Sequence, residues 1–147
     1  MPILVDTNIL VRAVERNHPL MPVARHALRS LVQNGELLCV APQNIAEFWN
    51  VCTRPAPMNG LGNSISATDR LVSRIETFFT LLPDSIDAFR LWRRLIVEHE
   101  VRGAKVHDAR LVAIMQANGV KDILTFNAAD FRRYRNIIVV DPSPLST

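Results

Sequence analysis

Asp6 closes a short apolar run, Ile3-Leu4-Val5, and leads with Thr7 and Asn8 into a helical stretch. Asp108 opens another, with Leu111, Val112 and Met115 at i+3, i+4 and i+7, so its carboxylate falls on the apolar face of that helix and is expected to be nearly buried. Glu47 borders the apolar stripe of Ile45, Phe48, Trp49 and Cys52 and shares a polar line with Gln43, Asn50 and Arg54. Asn127 and Asp130 leave the end of the apolar run from Ile123 to Phe126. Each has an ordinary use as well: the aspartates and Asn127 can cap helices, and Glu47 can be a solvated helix residue. Oxygen donors converging from three or four such places suit Mg²⁺ or Mn²⁺, which take carboxylates and waters in octahedral geometry. Neither the histidines nor Cys39 and Cys52 have the spacing of a zinc site.

These donors need a frame. Ile3 to Val5, Leu37 to Ala41, Ile123 to Phe126 and Ile137 to Val140 are nearly continuous apolar runs, the pattern of strands covered on both faces in a parallel sheet. Leu81-Leu82 before Pro83 supplies a fifth, shorter strand. Between them the period is helical. One helix runs through Val23, Ala24, Ala27, Leu28, Leu31 and Val32 and stops at Asn34-Gly35. A second carries Ile45 to Cys52 and stops at Pro55, and a third carries Leu71, Val72, Ile75, Phe78 and Phe79. Ser85 is placed to cap a fourth through Ala88, Phe89, Trp92, Leu95, Ile96 and His99. The helix opened by Asp108 closes at Asn118-Gly119, and another is expected after Asn127 or Asp130. Residues 54–66, rich in proline, glycine and asparagine, read as a loop. Strands alternating with helices define an α/β fold with a parallel sheet, where ligands bind beyond the carboxyl ends of the strands. Asp6, Asn127 and Asp130 occupy such places.

At 147 residues, 48% hydrophobic and 21% charged, the composition is that of one globular domain spanning 1–147. No apolar run has the length of a membrane span. The opening Met-Pro-Ile-Leu-Val-Asp has no basic region and reaches a carboxylate at once, unlike a signal peptide. Two cysteines in apolar stretches read as reduced, buried thiols, so the chain is expected in the cytoplasm. A net charge of +3 mildly favours an anionic partner.

Val5-Asp6-Thr7-Asn8-Ile9-Leu10, Pro42-Gln43 through Ala46-Glu47-Phe48, His107-Asp108-Ala109 and Thr125-Phe126-Asn127 with Asp130-Phe131 resemble, in order and spacing, the four motifs of PIN-domain nucleases. The resemblance covers roughly residues 3–140 and is greatest to bacterial VapC-type toxins. It implies a PIN-like three-layer sandwich, with a central parallel sheet of about five strands and helices on both faces. It also implies Mg²⁺ held chiefly by Asp6 and Asp108, with Glu47 completing an acidic triad. A fourth acid often follows the Thr of the last motif in this family; here that position is Asn127, with Asp130 three residues on.

A divalent cation at such a site lowers the pKa of a bound water and neutralises charge building on a phosphodiester. Glu47 or one of the aspartates is then the base, and Thr7 and Asn8 are placed to orient an aspartate or a water. Arg54, Arg102, Lys105 and His107 are candidates to hold an RNA backbone, and Arg132, Arg133 and Arg135 form a second basic group. The function implied is a Mg²⁺-dependent endoribonuclease, the toxin of a toxin–antitoxin module, with RNA as substrate, a cognate antitoxin as partner, and a homodimer as its assembly. The apolar 71–79 and 89–96 helices are candidates for the dimer face, although core packing accounts for most of their residues. Two other classes compete. A phosphatase with an aspartate nucleophile would want Asp-x-Asp, where this chain has Asn8. A catalytically inactive PIN-like metal-binding interaction module would tolerate decay of the acidic set, whereas Asp6, Glu47 and Asp108 are all present.

Overall fold

Successive residues of a strand face opposite ways, and the first strand, β1 (Pro2–Val5), shows the consequence. Ile3 and Val5 enter one apolar layer while Leu4 enters another. The computed structural model describes residues 1–145. In it, β1 is followed by α1 (Thr7–Val14), α2 (Met21–Gln33), β2 (Leu37–Val40), α3 (Pro42–Thr53), α4 (Ile65–Phe78) and β3 (Thr80–Leu81). Then come α5 (Ile86–Glu98), α6 (Lys105–Ala117), β4 (Asp122–Leu124), β5 (Ile138–Val140) and a last short turn of helix, α7 (Pro142–Leu145). All pairings are parallel, in the order β3-β2-β1-β4-β5, with Leu4 opposite both Cys39 and Ile123. The expected α/β sandwich with five parallel strands is the fold observed.

One layer packs α5, α6, Phe131 and Tyr134 on Leu4, Cys39 and Ile123. The other packs α1 to α4 on Ile3, Val5, Leu38, Val40 and Leu124. Phe48, Ile9 and Ile114 are fully buried in these layers, worth about 1.5–3 kcal/mol each, against ~0–1 kcal/mol for surface ion pairs such as Arg110–Asp84. The cores, then, fix the frame on which the polar groups stand.

Ser85 caps α5 through Ala88 N (3.1 Å), as its position predicts. Several boundaries differ from the expectation, among them these. The 54–66 segment holds a 3-10 turn at Ala56–Met58, and α4 begins at Ile65 because Ser64 accepts from Ala67 N (3.1 Å). The fourth strand ends at Leu124 instead of Phe126, since Thr125 and Phe126 turn into the site. No full helix follows it: Ala128–Asp130 form one 3-10 turn, and the Asn127 side chain caps nothing. Among the described residues, no helix is long and apolar enough to cross a membrane.

Candidate active site

From β1 the chain builds one side of the sheet with β2 and β3, and later returns to build the other with β4 and β5. The crevice lies at that reversal, beyond the carboxyl ends of β1 and β4. Asp6 leaves β1 there, its N–H donating to Leu124 O (3.0 Å). Its buried carboxylate takes three donors: Thr7 N on Oδ1 (2.8 Å), and Thr125 Oγ1 (2.7 Å) and Asn8 Nδ2 (3.4 Å) on Oδ2. Asp6 is thus the N-cap of α1 and a strand-end carboxylate at once, both readings of the sequence being realised in one side chain. Asn8 also donates to Thr125 Oγ1 (3.2 Å) and accepts from Phe126 N (3.2 Å), while Thr125 Oγ1 accepts from Asn127 N (3.0 Å). The start of α1 is therefore locked to the exit of β4.

A second chain of contacts arrives from β2. Asn44, fully buried, accepts from Ala41 N through Oδ1 (2.9 Å) and donates through Nδ2 to Thr7 Oγ1 (3.1 Å). Thr7 Oγ1 in turn donates to Glu47 Oε1 (3.2 Å), an exposed glutamate on the same helix as Asn44. Asp108 sits in the first turn of α6 and is half-buried, not nearly buried as its spacing predicts, because its face of the helix borders open cleft. The cleft has a volume of about 460 Å³ and is walled by Asp6, Thr7, Asn8, Glu47, Arg54, Asp108, Asn127 and Asp130, among others.

Of the remaining candidates, Arg102, Lys105 and His107 are not on that wall. Lys105 is paired with Asp130, and His107 contributes its carbonyl to Gln43 Nε2 (2.9 Å) while its side chain is exposed. Arg132, Arg133 and Arg135 are exposed, Arg133 donating to His99 O (3.3 Å) and Arg135 lining a separate pocket. Two residues at the site have no role assigned from the sequence. Thr125 belongs to the fourth motif but gives no patterned signal of its contact with Asp6. Asn44 does: it stands at i−4 and i−8 from the buried Phe48 and Cys52, a polar residue on an apolar face.

Burial pushes the Asp6 carboxyl up, the bonds from Thr125 and Thr7 pull it back, and the nearby Glu47 and Asp130 raise it again. Asp108 is pushed up to about 6, first by burial and then by Asp130, with Lys105 opposing and Asp6 and Glu47 adding to the rise. The basic groups nearby are largely spoken for: Arg12 by Glu15 (2.5 Å), Arg54 by Asn59 O (2.9 Å) and Lys105 by Asp130. Among the described residues, Asp6, Glu47 and Asp108 form no ion pair. Three mutually repelling carboxylates that form no ion pair, on a cleft wall that holds no thiol or imidazole, fit a hard dication. As they stand, no three acidic, histidine or cysteine side chains among the described residues are grouped closely enough to hold one by themselves. The two cysteines take no part: both are buried, and burial pushes the Cys52 thiol up to about 11.

A profile of the PIN domain family matches residues 3–137, and the chain belongs to that family. Its members generally use a divalent metal. The fold is that of VapC-type toxin structures. VapBC2 from Rickettsia felis, solved bound to a promoter DNA fragment, superposes with a TM-score of 0.73 at 16% identity over 96% of this chain and 98% of that one. VapBC-1 from nontypeable Haemophilus influenzae gives 0.71 at 12% identity over 97% and 99%. Mycobacterium tuberculosis VapC20, described as a Sarcin-Ricin loop cleaving toxin, gives 0.68 at 17% identity over 90% and 95%. No curated protein matches the chain by sequence.

Proposed function

We propose that this chain is a VapC-type toxin: a metal-dependent endoribonuclease, acting in the cytoplasm and neutralised by a cognate antitoxin. The observation that carries the reading is the set of three uncompensated carboxylates, Asp6, Glu47 and Asp108, around one cleft at the sheet's reversal point. The neighbouring toxin–antitoxin structures support the biological setting. Asp6 and Asp108 hold Mg²⁺, or Mn²⁺ in its place, with Glu47 alongside. When bound, the ion activates water and neutralises charge on the phosphodiester. The chain's own residues do the rest. Thr125, Thr7 and Asn8 fix both oxygens of Asp6, and Thr7, itself held by Asn44, donates to Glu47, the residue assigned here to take a proton from an attacking water. Asn127, Asp130, Thr7, Asn8 and Arg54 border the substrate. A homodimer is proposed as well, supported by the exposed apolar side chains Phe78, Ile86, Phe89 and Val97 on α4 and α5.

The test is RNA cleavage with and without Mg²⁺, with Asp6→Asn as control, together with induction in a bacterial host. Wild type should cleave and arrest growth; Asp6→Asn and Glu47→Gln should do neither. No cleavage by wild type, with equal growth for wild type and both variants, would overturn the reading in favour of an inactive interaction module.

A further inference from the structure

The acidic cleft meets a second one at Gly60 and Leu61, which line both, as does Glu15. The second, about 740 Å³, lies between the end of α1 and α4, and its wall carries Arg16, Arg70 and Arg74. Glu15 is the one carboxylate on that wall, and Arg12 already engages it (2.5 Å). Among the described residues, Arg16 and Arg74 have no ion-pair partner, and Arg70 reaches only Ser66 Oγ on its own helix (3.2 Å). Arg70 and Arg74 stand at i and i+4, so both guanidinium groups leave the same face of α4, about one 5.4 Å turn apart. Guanidinium forks match phosphate oxygens two at a time and lose less hydration than ammonium groups. An acidic centre continuous with an arginine wall demands a ligand that carries repeated anionic groups beyond the point of chemistry.

We infer that the α1–α4 cleft seats backbone phosphates of the RNA flanking the scissile bond, with Arg70 and Arg74 as its main contacts and Arg16 as the third. The inference rests on the ribonuclease reading above and extends it from the reacting bond to the path of the strand. Because phosphate contacts carry no base information, the seat adds affinity uniformly over sequences and leaves the choice of cleavage point to the acidic cleft.

The test uses the full chain in an Asp6→Asn background, so that labelled RNA is bound without being cut. Fluorescence anisotropy with a single-stranded RNA dodecamer is compared for Arg70→Ala/Arg74→Ala and for Arg93→Ala/Arg94→Ala, which removes equal charge from α5. All four arginines are exposed, so the fold is retained. The α4 pair should weaken dodecamer binding roughly tenfold at low salt, and make log Kd less salt-dependent by about 0.7 per charge removed. The α5 pair should leave both unchanged, as should the α4 pair for an RNA tetramer too short to leave the acidic cleft. Arg70→Lys/Arg74→Lys should restore the salt dependence but not all of the affinity. Equal losses from the α4 and α5 pairs, or none from the α4 pair, overturn the inference and leave the ribonuclease reading standing. Competition for this wall by an acidic peptide, with dodecamer binding unaffected by the α4 pair, also overturns it and assigns the wall to a protein. A parent chain that binds no RNA at all, and whose wild-type form cuts none, fails both readings together.

Discussion

Thr125 and Asp6, 119 residues apart in the chain, are joined by a 2.7 Å hydrogen bond at the adjoining ends of β4 and β1. The threonine hydroxyl is the shortest donor to a carboxylate that burial would otherwise drive toward neutrality.

Thr125→Val removes that donor and keeps the shape. The buried Asp6 Oδ2 retains only the long contact from Asn8, so the folded state should lose about 1–3 kcal/mol. Cleavage should fall with it, since the Asp6 carboxyl would rise further and be ionised less. Thr125→Ser should recover both. Denaturant unfolding measures the first effect and RNA cleavage the second; a valine variant as stable and as active as wild type would remove Thr125 from the account.

Asp108 gives a pH signature in the metal-free protein. Its folded pKa of about 6 lies above the ordinary 3.8, so the folded chain binds its proton more tightly than the unfolded chain does. Stability should therefore rise as pH falls through 6, the gain being complete below 3.8, and should be lowest on this group's account above 6. Asp108→Asn should stabilise the chelated protein at neutral pH by on the order of 1 kcal/mol, after allowing for solvent screening of a half-buried group and for the lost favourable charge at the start of α6. It should also flatten the pH dependence. Thermal unfolding in a chelator across that range reads both; a destabilised Asp108→Asn protein at neutral pH contradicts the charge argument.

Metal stoichiometry follows from the fourth motif. Asn127 is neutral and Asp130 is already paired with Lys105, which leaves three carboxylates to draw cations. Calorimetry should find one tight Mn²⁺ in the wild type, with a second appearing in Asn127→Asp. Two equally tight sites in wild-type protein without RNA would refute this count.

Gly60 is fixed by a close approach. A Cβ there would lie 2.0 Å from the Arg54 carbonyl oxygen, a backbone atom that cannot swing aside. Gly60→Ala should lift the 55–63 segment off α3, to which Leu61 N and Asn63 N bind at Val51 O (2.9 Å) and Cys52 O (2.8 Å). The loss should be about 1–3 kcal/mol, with raised KM for RNA. A variant of unchanged stability and KM would show that the segment relaxes freely.

How much of this was legible beforehand follows from the kind of signal each residue gives. Apolar runs announced the strands because a doubly covered parallel sheet needs them, and so Asp6 could be placed at a strand end from its neighbours alone. The short β3, Thr80–Leu81, begins one residue before the Leu81-Leu82 run that marks it, since two residues on a sheet edge carry almost no pattern. Asp108 is less buried than its spacing predicts because periodicity gives the face of a helix but not the cavity beside it. The contacts made by Asn44 and by Thr125, a residue of the fourth motif, are not visible in sequence for a related reason. Their importance lies in bonds to Thr7 and Asp6, and those pairings exist only after β1, β2 and β4 have come side by side.

That dependence on distant pairing also sets a clock. The Asp6–Thr125 clasp closes only when β4 has docked on β1, so a ribosome must add Thr125 before the first aspartate can be held in place. At about 5–20 residues per second this takes roughly 6–25 s. Through that interval the nascent chain carries Asp6, Glu47 and Asp108 in turn but no finished cleft.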